Sequence, residues 1–436
     1  MIEESGRVAA PSRRYFLSTL GCPKNEVDSA KLAGRLEAAG YGEAAEVEEA
    51  DLVVVNTCAF IEAAREESIE TILALSEARR PGARLAVTGC LAARSGSELK
   101  QALPEIDVVA DFGQEVSHAP VTFRGRAELP AFDLLELPRP PVEAPWAYVK
   151  VAEGCDRHCG FCAIPSFRGP QRSRRLESIL TEVKSLQASE IVLVAQDLAS
   201  YGRDGGAERR GGEEIVHLLE EVSALTRWVR LLYLYPSSLD DRLIDAICAT
   251  EVPYFDLSLQ HVSRPLLRRM RRFGGAEKVL GRIRRIRSLE PMAALRSSFI
   301  VGYPGETEED HDALLAFLEE AELDWAGFFT FSEEEGTYAA GFPAELKVSR
   351  ALAEARRDEC AELQDAITAK KRTDLVGSTA TVLACGGGEA RSFREAPEID
   401  GVIRLEEKGA PASLGSFCEA RIIRAEGPDL VGEVIG

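Results

Sequence analysis

A chain of 436 residues can form two or three domains, and its 45% hydrophobic and 28% charged residues are typical of a soluble protein. No signal peptide or membrane-spanning run is present, so we expect a cytoplasmic protein without a membrane partner. Its ten cysteines then indicate metal or cluster binding rather than disulfides, because that compartment is reducing. The net charge of −20 weakens a nucleic-acid-binding interpretation and fits a basic protein partner, or solubility alone.

Residues 13–125 alternate short apolar runs with helical patterns, which predicts an α/β domain with a doubly wound parallel sheet. Three apolar runs each end just before a cysteine: residues 14–20 precede Cys22, residues 52–55 precede Cys58, and residues 85–87 precede Cys90. Ligands collect at the carboxyl ends of the strands in such sheets, so these cysteines can converge on one site. Scattered cysteines are otherwise often small core residues.

A proline-rich stretch at residues 126–140 is typical of a linker. Residues 141–372 then alternate six strand patterns with helices, which predicts a partial (βα)6 barrel with its active site at the carboxyl ends of the strands. The last helical pattern, residues 349–372, closes this domain. Short strands and glycine-rich turns at residues 373–436 predict a small antiparallel β-barrel of OB-like size.

Cys155, Cys159 and Cys162 follow the first predicted barrel strand with the spacing CxxxCxxC. Three thiolates on a short loop can ligate three irons of a [4Fe–4S] cluster and leave the fourth iron open to a small molecule. A zinc site is the alternative, with His158 as the nearest fourth ligand. We disfavour zinc because a structural zinc site normally has four closely spaced protein ligands.

This loop, with Phe161 before the last cysteine, closely resembles the radical S-adenosylmethionine superfamily. The resemblance implies that the open iron binds S-adenosylmethionine and that reductive cleavage yields a 5′-deoxyadenosyl radical, which abstracts a substrate hydrogen. It also implies that Phe161, Gln196, Gly302 and Gly305 contact the cofactor. A plain tight turn explains the two glycines equally well.

The whole chain looks like a methylthiotransferase, with an N-terminal methylthiotransferase domain, a radical core and a C-terminal TRAM domain. The resemblance implies a second [4Fe–4S] cluster, on Cys22, Cys58 and Cys90, that supplies or carries sulfur. S-adenosylmethionine would provide both the methyl group and the radical. The other cysteines share no geometry and are interpreted as structural: Cys248, Cys360, Cys385 and Cys418.

The substrate is indicated by LGCPKNEVDS around Cys22, NTCAFIEAAREESIETIL around Cys58 and EGCDRHCGFCAIPSFRG around Cys155. These segments resemble the branch that methylthiolates an aspartate β-carbon in the small-subunit ribosomal protein twelve. Methylthiolation of a tRNA adenosine near the anticodon is the alternative within enzymes. From Thr373 onward there are eleven acidic and six basic residues, which suits a basic protein better than RNA.

A redox-sensing, RNA-binding iron–sulfur protein without turnover is an alternative from another class, but such a sensor needs no open iron. The enzyme interpretation also implies a reductant protein such as flavodoxin or ferredoxin, nucleic acid contact only through the ribosome, and a monomer. Gln260 and His261 end a predicted strand and could touch substrate or cofactor. A structural role for that pair is about twice as common an explanation.

Overall fold

The computed structural model describes residues 13–117, 132–205, 213–406 and 412–435. The chain divides into two compact units, one of residues 1–140 and 166–168 and the other of residues 141–165 and 169–436. Residues 118–131 contain the end of the predicted first domain and the start of the predicted linker, and they lie outside the described residues. The predicted domain boundaries stay predictions.

The first unit contains an α/β sheet of five strands. Its elements are β1 (Arg13–Thr19), α1 (Pro23–Ala38), β2 (Tyr41–Glu43), β3 (Leu52–Thr57), α2 (Glu62–Ala78), β4 (Arg84–Gly89), α3 (Cys90–Ala102) and β5 (Val108–Val109). The strand order is β2-β1-β3-β4-β5 and every pairing is parallel, which confirms the predicted fold class. Val53 and Val55 lie in one buried cluster and Leu52 and Val54 in another. Both faces of β3 are therefore covered, which explains its uninterrupted apolar run.

Residues 132–140, the described part of the predicted linker, lie against α1. The buried ammonium group of Lys31 donates a hydrogen bond to the carbonyl oxygen of Leu135 at 2.5 Å. A Cβ atom at Gly34 would lie 3.2 Å from the carbonyl oxygen of Pro138. This segment is consequently packed on the first unit.

The second unit begins with six parallel strands. Its helices and strands up to residue 373 are β6 (Trp146–Lys150), β7 (Ala152–Glu153), α4 (Ile164–Arg168), β8 (Arg172–Ser173), α5 (Leu176–Leu186), β9 (Glu190–Val194), α6 (Glu213–Ser223), β10 (Trp228–Leu231), α7 (Asp241–Cys248), β11 (Tyr254–Gln260), α8 (Arg264–Arg269), α9 (Ala276–Leu289), β12 (Ala294–Val301), α10 (Glu308–Ala321), β13 (Trp325–Thr330) and α11 (Arg350–Thr373). Strands β6-β9-β10 form one parallel sheet and β11-β12-β13 another, and a parallel bridge between Leu234 and Leu257 joins them. The predicted partial barrel is confirmed.

The C-terminal strands are β14 (Thr379–Gly386), β15 (Glu389–Arg391), β16 (Ile403–Glu406), β17 (Phe417–Glu426) and β18 (Asp429–Val434). They form a closed barrel in the order β14-β15-β16-β18-β17. Four pairings are antiparallel, as predicted, but β16 and β18 are parallel. A closed ring of five strands cannot reverse direction at every pairing, so one parallel pair is unavoidable.

Residues 392–400, between β15 and β16, fill the amino-terminal end of the partial barrel. Oxygen atoms of this segment accept hydrogen bonds from four barrel strands: Phe393 from Arg230 (2.8 Å), Arg394 from Trp325 (2.7 Å), Pro397 from Tyr148 (2.9 Å) and Asp400 from Tyr254 (2.6 Å). Each of the four donors lies among the first three residues of its strand. The carboxyl ends are therefore the free end of the barrel, where the predicted site lies.

Two candidate cysteine sites

The first set of cysteines lies at the carboxyl ends of three neighbouring strands. Cys22 precedes α1, Cys58 directly follows β3, and Cys90 begins α3 immediately after β4. Gly21 has a φ of +98°, and a Cβ atom there would lie 2.9 Å from the Cβ atom of Cys58. The loops that carry Cys22 and Cys58 therefore touch. Whether the three cysteines ligate a cluster stays a prediction.

Asn25, which is fully buried, connects the three cysteine segments. Its side-chain amide donates to the carbonyl oxygen of Leu20 at 2.8 Å and to that of Thr57 at 3.1 Å. Its Oδ1 atom lies 3.8 Å from the Sγ atom of Cys90. Asn25 was not among the predicted site residues, and the only signal for it was its place in the segment after Cys22.

Arg168 brings a buried positive charge to the same set of cysteines. The last three residues of α4, Ser166–Arg168, belong to the first unit. The guanidinium group of Arg168 donates to Cys90 Sγ at 3.2 Å and to Asn25 Oδ1 at 2.8 Å. It also pairs with Asp28 at 3.2 Å, and both side chains are only 3% exposed. Sequence reasoning missed this residue.

The pKa values of the three thiols show that they influence one another. Burial raises the pKa of Cys58 to about 11, and the nearby thiols of Cys90 and Cys22 act in the same direction. Burial also raises the pKa of Cys90, and Arg168 only partly opposes it. For Cys22, burial raises the pKa, but Lys24 and Arg168 outweigh it and hold the pKa below its ordinary value.

The second set of cysteines lies on the loop between β7 and α4. This loop belongs to residues 141–165, the first segment of the second unit. Backbone hydrogen bonds hold this loop: Cys155 donates to Gly169 at 3.0 Å, and Gly160 donates to Met270 at 2.8 Å. A Cβ atom at Gly160 would lie 2.8 Å from the hydroxyl oxygen of Tyr303, so only glycine fits. Phe161 packs against the buried cluster that contains Met270 and Tyr303, and His158 is exposed.

Two arginines lie close to these cysteines, Arg157 within the loop and Arg272 outside it. Arg272 donates to Cys159 Sγ at 3.2 Å, and Arg157 donates to Asp197 at 2.6 Å. Both guanidinium groups lie over the ring of Tyr235, with their central carbons 4.2 and 4.0 Å from its centroid. Burial raises the pKa of Cys155 to about 11 and that of Cys162 to about 12.

Gln196 follows β9 at the carboxyl end of the barrel. Its amide nitrogen donates to Glu153 at 3.2 Å, and Glu153 also pairs with the buried Lys150. The Oε1 atom of Gln196 is buried and has no hydrogen-bond partner among the described residues. An unpartnered buried oxygen is costly, so it is available to accept a hydrogen bond from a bound molecule.

Gly302 and Gly305 both have positive φ angles, +75° and +81°. A Cβ atom at Gly302 would lie 2.4 Å from the Cβ atom of Ala353 on α11, and one at Gly305 would meet the guanidinium group of Arg269. Tight turns and close packing therefore account for both glycines. Contact with a cofactor stays a prediction for them.

His261 and Gln260 differ in their surroundings. His261 is 1% exposed, and its Nε2 atom lies 3.5 Å from the carboxylate of Glu306, which Arg356 also contacts at 3.3 Å. Glu306 also accepts the N–H of Gly302, so this carboxylate holds the loop after β12, whereas the Nε2 atom of His261 makes no hydrogen bond among the described residues. Gln260 has a φ of +72° at the end of β11, where the register shifts, and it is partly exposed.

The donor chemistry of both sets fits an iron–sulfur cluster. Each set offers three soft thiols and one guanidinium group 3.2 Å from a sulfur atom. This fit concerns the type of donor atom. As the side chains are placed, the described residues contain no group of three or more His, Cys, Asp or Glu that could hold a metal ion.

The remaining cysteines lie in other surroundings. Cys360 is fully buried in the core of the second unit, and Cys248 packs against the same core. Cys418 packs within the C-terminal barrel, and Cys385 lies 3.4 Å from the carbonyl oxygen of Leu383. Helices that could cross a membrane are absent from the part of the chain that the structure describes.

Three family descriptions match this chain: uncharacterized protein family UPF0004 at residues 14–111, the Radical SAM superfamily at 149–318 and the TRAM domain at 376–435. A relative from Moorella thermoacetica named ribosomal protein uS12 methylthiotransferase RimO is 41% identical, over 97% of this chain and 99% of that protein. The chain belongs to the RimO family. Relatives of the same name from Aquifex aeolicus (40% identical, 95% of each chain) and Cutibacterium acnes (39%, over 95% and 96%) agree. Family membership confirms the resemblance to radical S-adenosylmethionine methylthiotransferases.

Proposed function

We propose that this chain attaches a methylthio group to the β-carbon of an aspartate in ribosomal protein uS12, in a radical S-adenosylmethionine-dependent reaction. The observation that carries the proposal is the pair of three-thiol sets, one in each compact unit: one at the carboxyl ends of three parallel strands and one on the loop between β7 and α4. The proposal includes two [4Fe–4S] clusters, one on Cys155, Cys159 and Cys162 and one on the strand-end cysteines. The named activity of the relatives supports it.

An aspartate β-carbon has a C–H bond too weakly acidic for simple base catalysis, so a radical is needed. When bound, the cluster on the short loop supplies the electron that cleaves S-adenosylmethionine, and the other cluster supplies or carries sulfur. The chain's own residues position these groups. Backbone hydrogen bonds from Cys155 and Gly160 fix the short loop. The Oε1 atom of Gln196 can accept a hydrogen bond from bound S-adenosylmethionine.

The arginines of the C-terminal barrel support a protein substrate over RNA. Arg391 and Arg394 are buried, and Arg391 pairs with the fully buried Glu190 at 2.8 Å. The other described arginines of the barrel pair with carboxylates of the same barrel: Arg404 with Glu426 and Asp429, Arg421 with Glu433, and Arg424 with Glu406 and Glu426. A phosphate backbone needs cations that are not already neutralised. Lys408 lies outside the described residues.

The proposal extends to the partners of the reaction. Cleavage of S-adenosylmethionine consumes one electron, so a low-potential donor such as flavodoxin or ferredoxin is required. We place the reaction in the cytoplasm and expect the chain to act as a monomer.

The test is anaerobic reconstitution with iron and sulfide, followed by assay with S-adenosylmethionine, dithionite and either uS12 or tRNA. We expect 5′-deoxyadenosine and a mass increment of one methylthio group on uS12, with none on tRNA. The Cys155→Ala chain serves as the control without radical formation. An increment on tRNA alone would favour the adenosine substrate. Absence of 5′-deoxyadenosine from a fully loaded chain would overturn the enzyme assignment.

A further inference from the structure

The two cysteine sets share one contact that the sequence does not reveal. In each set a single guanidinium group donates a hydrogen bond to one sulfur atom at 3.2 Å, from Arg168 to Cys90 and from Arg272 to Cys159. The partners are 78 and 113 residues apart in the chain, so tertiary structure alone creates both contacts. Each set therefore has its own cation.

The two cations are fixed in different ways. Arg168 pairs with the carboxylate of Asp28, and its guanidinium group also lies 4.2 Å from the ring centroid of Phe112. Arg272 donates to the carbonyl oxygen of Ser258 and lies over the ring of Tyr235. Its Nε atom is buried without a hydrogen-bond partner among the described residues. The charge of Arg168 is therefore partly offset by a carboxylate, whereas that of Arg272 faces a carbonyl group and an aromatic ring.

A cation beside a cluster sulfur favours the form with more negative charge, which is the reduced form. Hydrogen bonds to cluster sulfurs act in the same direction, and both are known determinants of reduction potential. Burial strengthens the effect because water does not screen the charge. The side chain of Arg168 is only 3% exposed.

We propose that Arg168 and Arg272 are positioning residues that each raise the reduction potential of one cluster, Arg168 at the strand-end cysteines and Arg272 at the short loop. This inference rests on the two-cluster assignment of the proposed function. Since Asp28 offsets part of the charge of Arg168, Arg272 has the larger effect of the two.

The experiment measures each cluster alone in the full-length chain. One background replaces Cys155, Cys159 and Cys162 by Ala, and the other replaces Cys22, Cys58 and Cys90 by Ala. In each background, EPR-monitored redox titration is performed on the parent, on Arg168→Gln and on Arg272→Gln. Two further variants, Arg79→Gln and Arg285→Gln, are matched controls, since they remove arginines whose ion pairs with Asp107, Asp241 and Asp245 lie outside both cysteine sets.

We expect Arg168→Gln to lower the potential only where the strand-end cysteines remain. Arg272→Gln should lower the potential only where the short loop remains, and by more. Neither control should shift either potential. A loaded cluster whose potential does not change when its arginine is replaced would overturn the inference, as would an equal shift in both backgrounds. If neither parent background forms a cluster, the assignment in the proposed function has failed and the inference fails with it.

Removal of Arg168 takes away the ion pair that it forms with the buried carboxylate of Asp28, which can prevent folding. The double variant Arg168→Gln/Asp28→Asn removes both charges and keeps a polar side chain at each position. We expect a smaller downward shift of the potential in this variant than in Arg168→Gln. An unchanged potential at full iron content in the double variant would again contradict the inference.

Discussion

The two cysteine sets are built in opposite ways. Cys155, Cys159 and Cys162 lie within eight consecutive residues, whereas Cys22, Cys58 and Cys90 come from three separate strand ends. The compact set depends on the conformation of one loop, which backbone hydrogen bonds to Gly169 and Met270 maintain. The dispersed set depends on the order of β1, β3 and β4 in the sheet and on Asn25, which connects their ends. A motif search can find the first set, but only the fold identifies the second.

The largest expected effects come from single cysteine replacements. Cys155→Ala should abolish formation of 5′-deoxyadenosine, because one of three ligands of the compact set is lost. Cys58→Ala should leave that cleavage intact and abolish methylthio transfer. Both products are measured by mass spectrometry after anaerobic reconstitution. Cys418→Ala, in the C-terminal barrel, is the control that should retain both activities. Methylthio transfer by Cys58→Ala would refute the role of the dispersed set.

Glycine replacements should have smaller effects than the cysteine replacements, and the loss of iron should differ between the compact and the dispersed set. A Cβ atom at Gly154 would lie 2.1 Å from the carbonyl oxygen of Pro170, and the φ angle there is +75°. Rigid backbone cannot move aside, so Gly154→Ala should lose most of the iron of the compact set. At Gly21 the nearest atom, Cys58 Cβ, would lie 2.9 Å away, which is a milder clash than at Gly154, so Gly21→Ala should lose less iron from the dispersed set. Iron and sulfide analysis in the two cysteine-to-alanine backgrounds measures both losses.

Gly82→Ala is the matched control for these glycines. Gly82 has a φ of +85°, but nothing lies within 4 Å of an added Cβ atom. We therefore expect only the strain of the left-handed conformation, about 1–2 kcal/mol of stability, and an unchanged iron content. Equal iron losses in all three variants would mean that steric contact at the cysteine loops is not the cause.

The smallest expected effect concerns the amino-terminal end of the barrel, away from the strand ends that carry cysteines. Burial raises the pKa of Asp400 to about 6, although Arg296 and Tyr254 oppose it. A raised pKa stabilises the fold fully below the unfolded-state value of 3.8, and this contribution is lost as the pH rises through about 6.

Between about pH 4 and about pH 7, the Tm of Asp400→Asn should therefore rise relative to that of the native chain, by the equivalent of roughly 2–3 kcal/mol at most. Thermal unfolding at several pH values measures this difference. Asp374→Asn, at an exposed carboxylate after α11, is the control and should show no such trend. Iron content should not change in either variant. A constant difference in Tm across this range would contradict the raised pKa of Asp400.

Much of the fold could be predicted because buried parallel strands require uninterrupted apolar runs. The apolar runs at residues 52–55 and 191–194 were recognisable in this way, and both strands are fully buried. The mixed direction of the C-terminal barrel could have followed from its odd number of strands. The role of residues 392–400 could not, because nothing local marks a segment that accepts hydrogen bonds from four distant strands.

The site was predictable where cysteines formed a motif or followed strands, and unpredictable where other side chains approached them. Arg168 and Arg272 reach their sulfur atoms only through tertiary contacts, so no spacing rule could identify them. The charge count of the C-terminal region was also only indirect evidence for a protein partner, because it does not show which charged side chains are buried. The side chains of two of its acids and two of its arginines are buried, so the acidic excess among the remaining residues is unchanged: Glu395 and Asp400, Arg391 and Arg394.

The central claim is that the chain holds two clusters with separate ligands and separate tasks. The most direct test is iron and sulfide analysis with Mössbauer spectroscopy of the reconstituted native chain and of the two cysteine-to-alanine backgrounds. Each background should contain half of the native iron as one [4Fe–4S] cluster, and only the one with Cys155, Cys159 and Cys162 should cleave S-adenosylmethionine. Full native iron in either background, or cleavage without the short-loop cysteines, would contradict the claim.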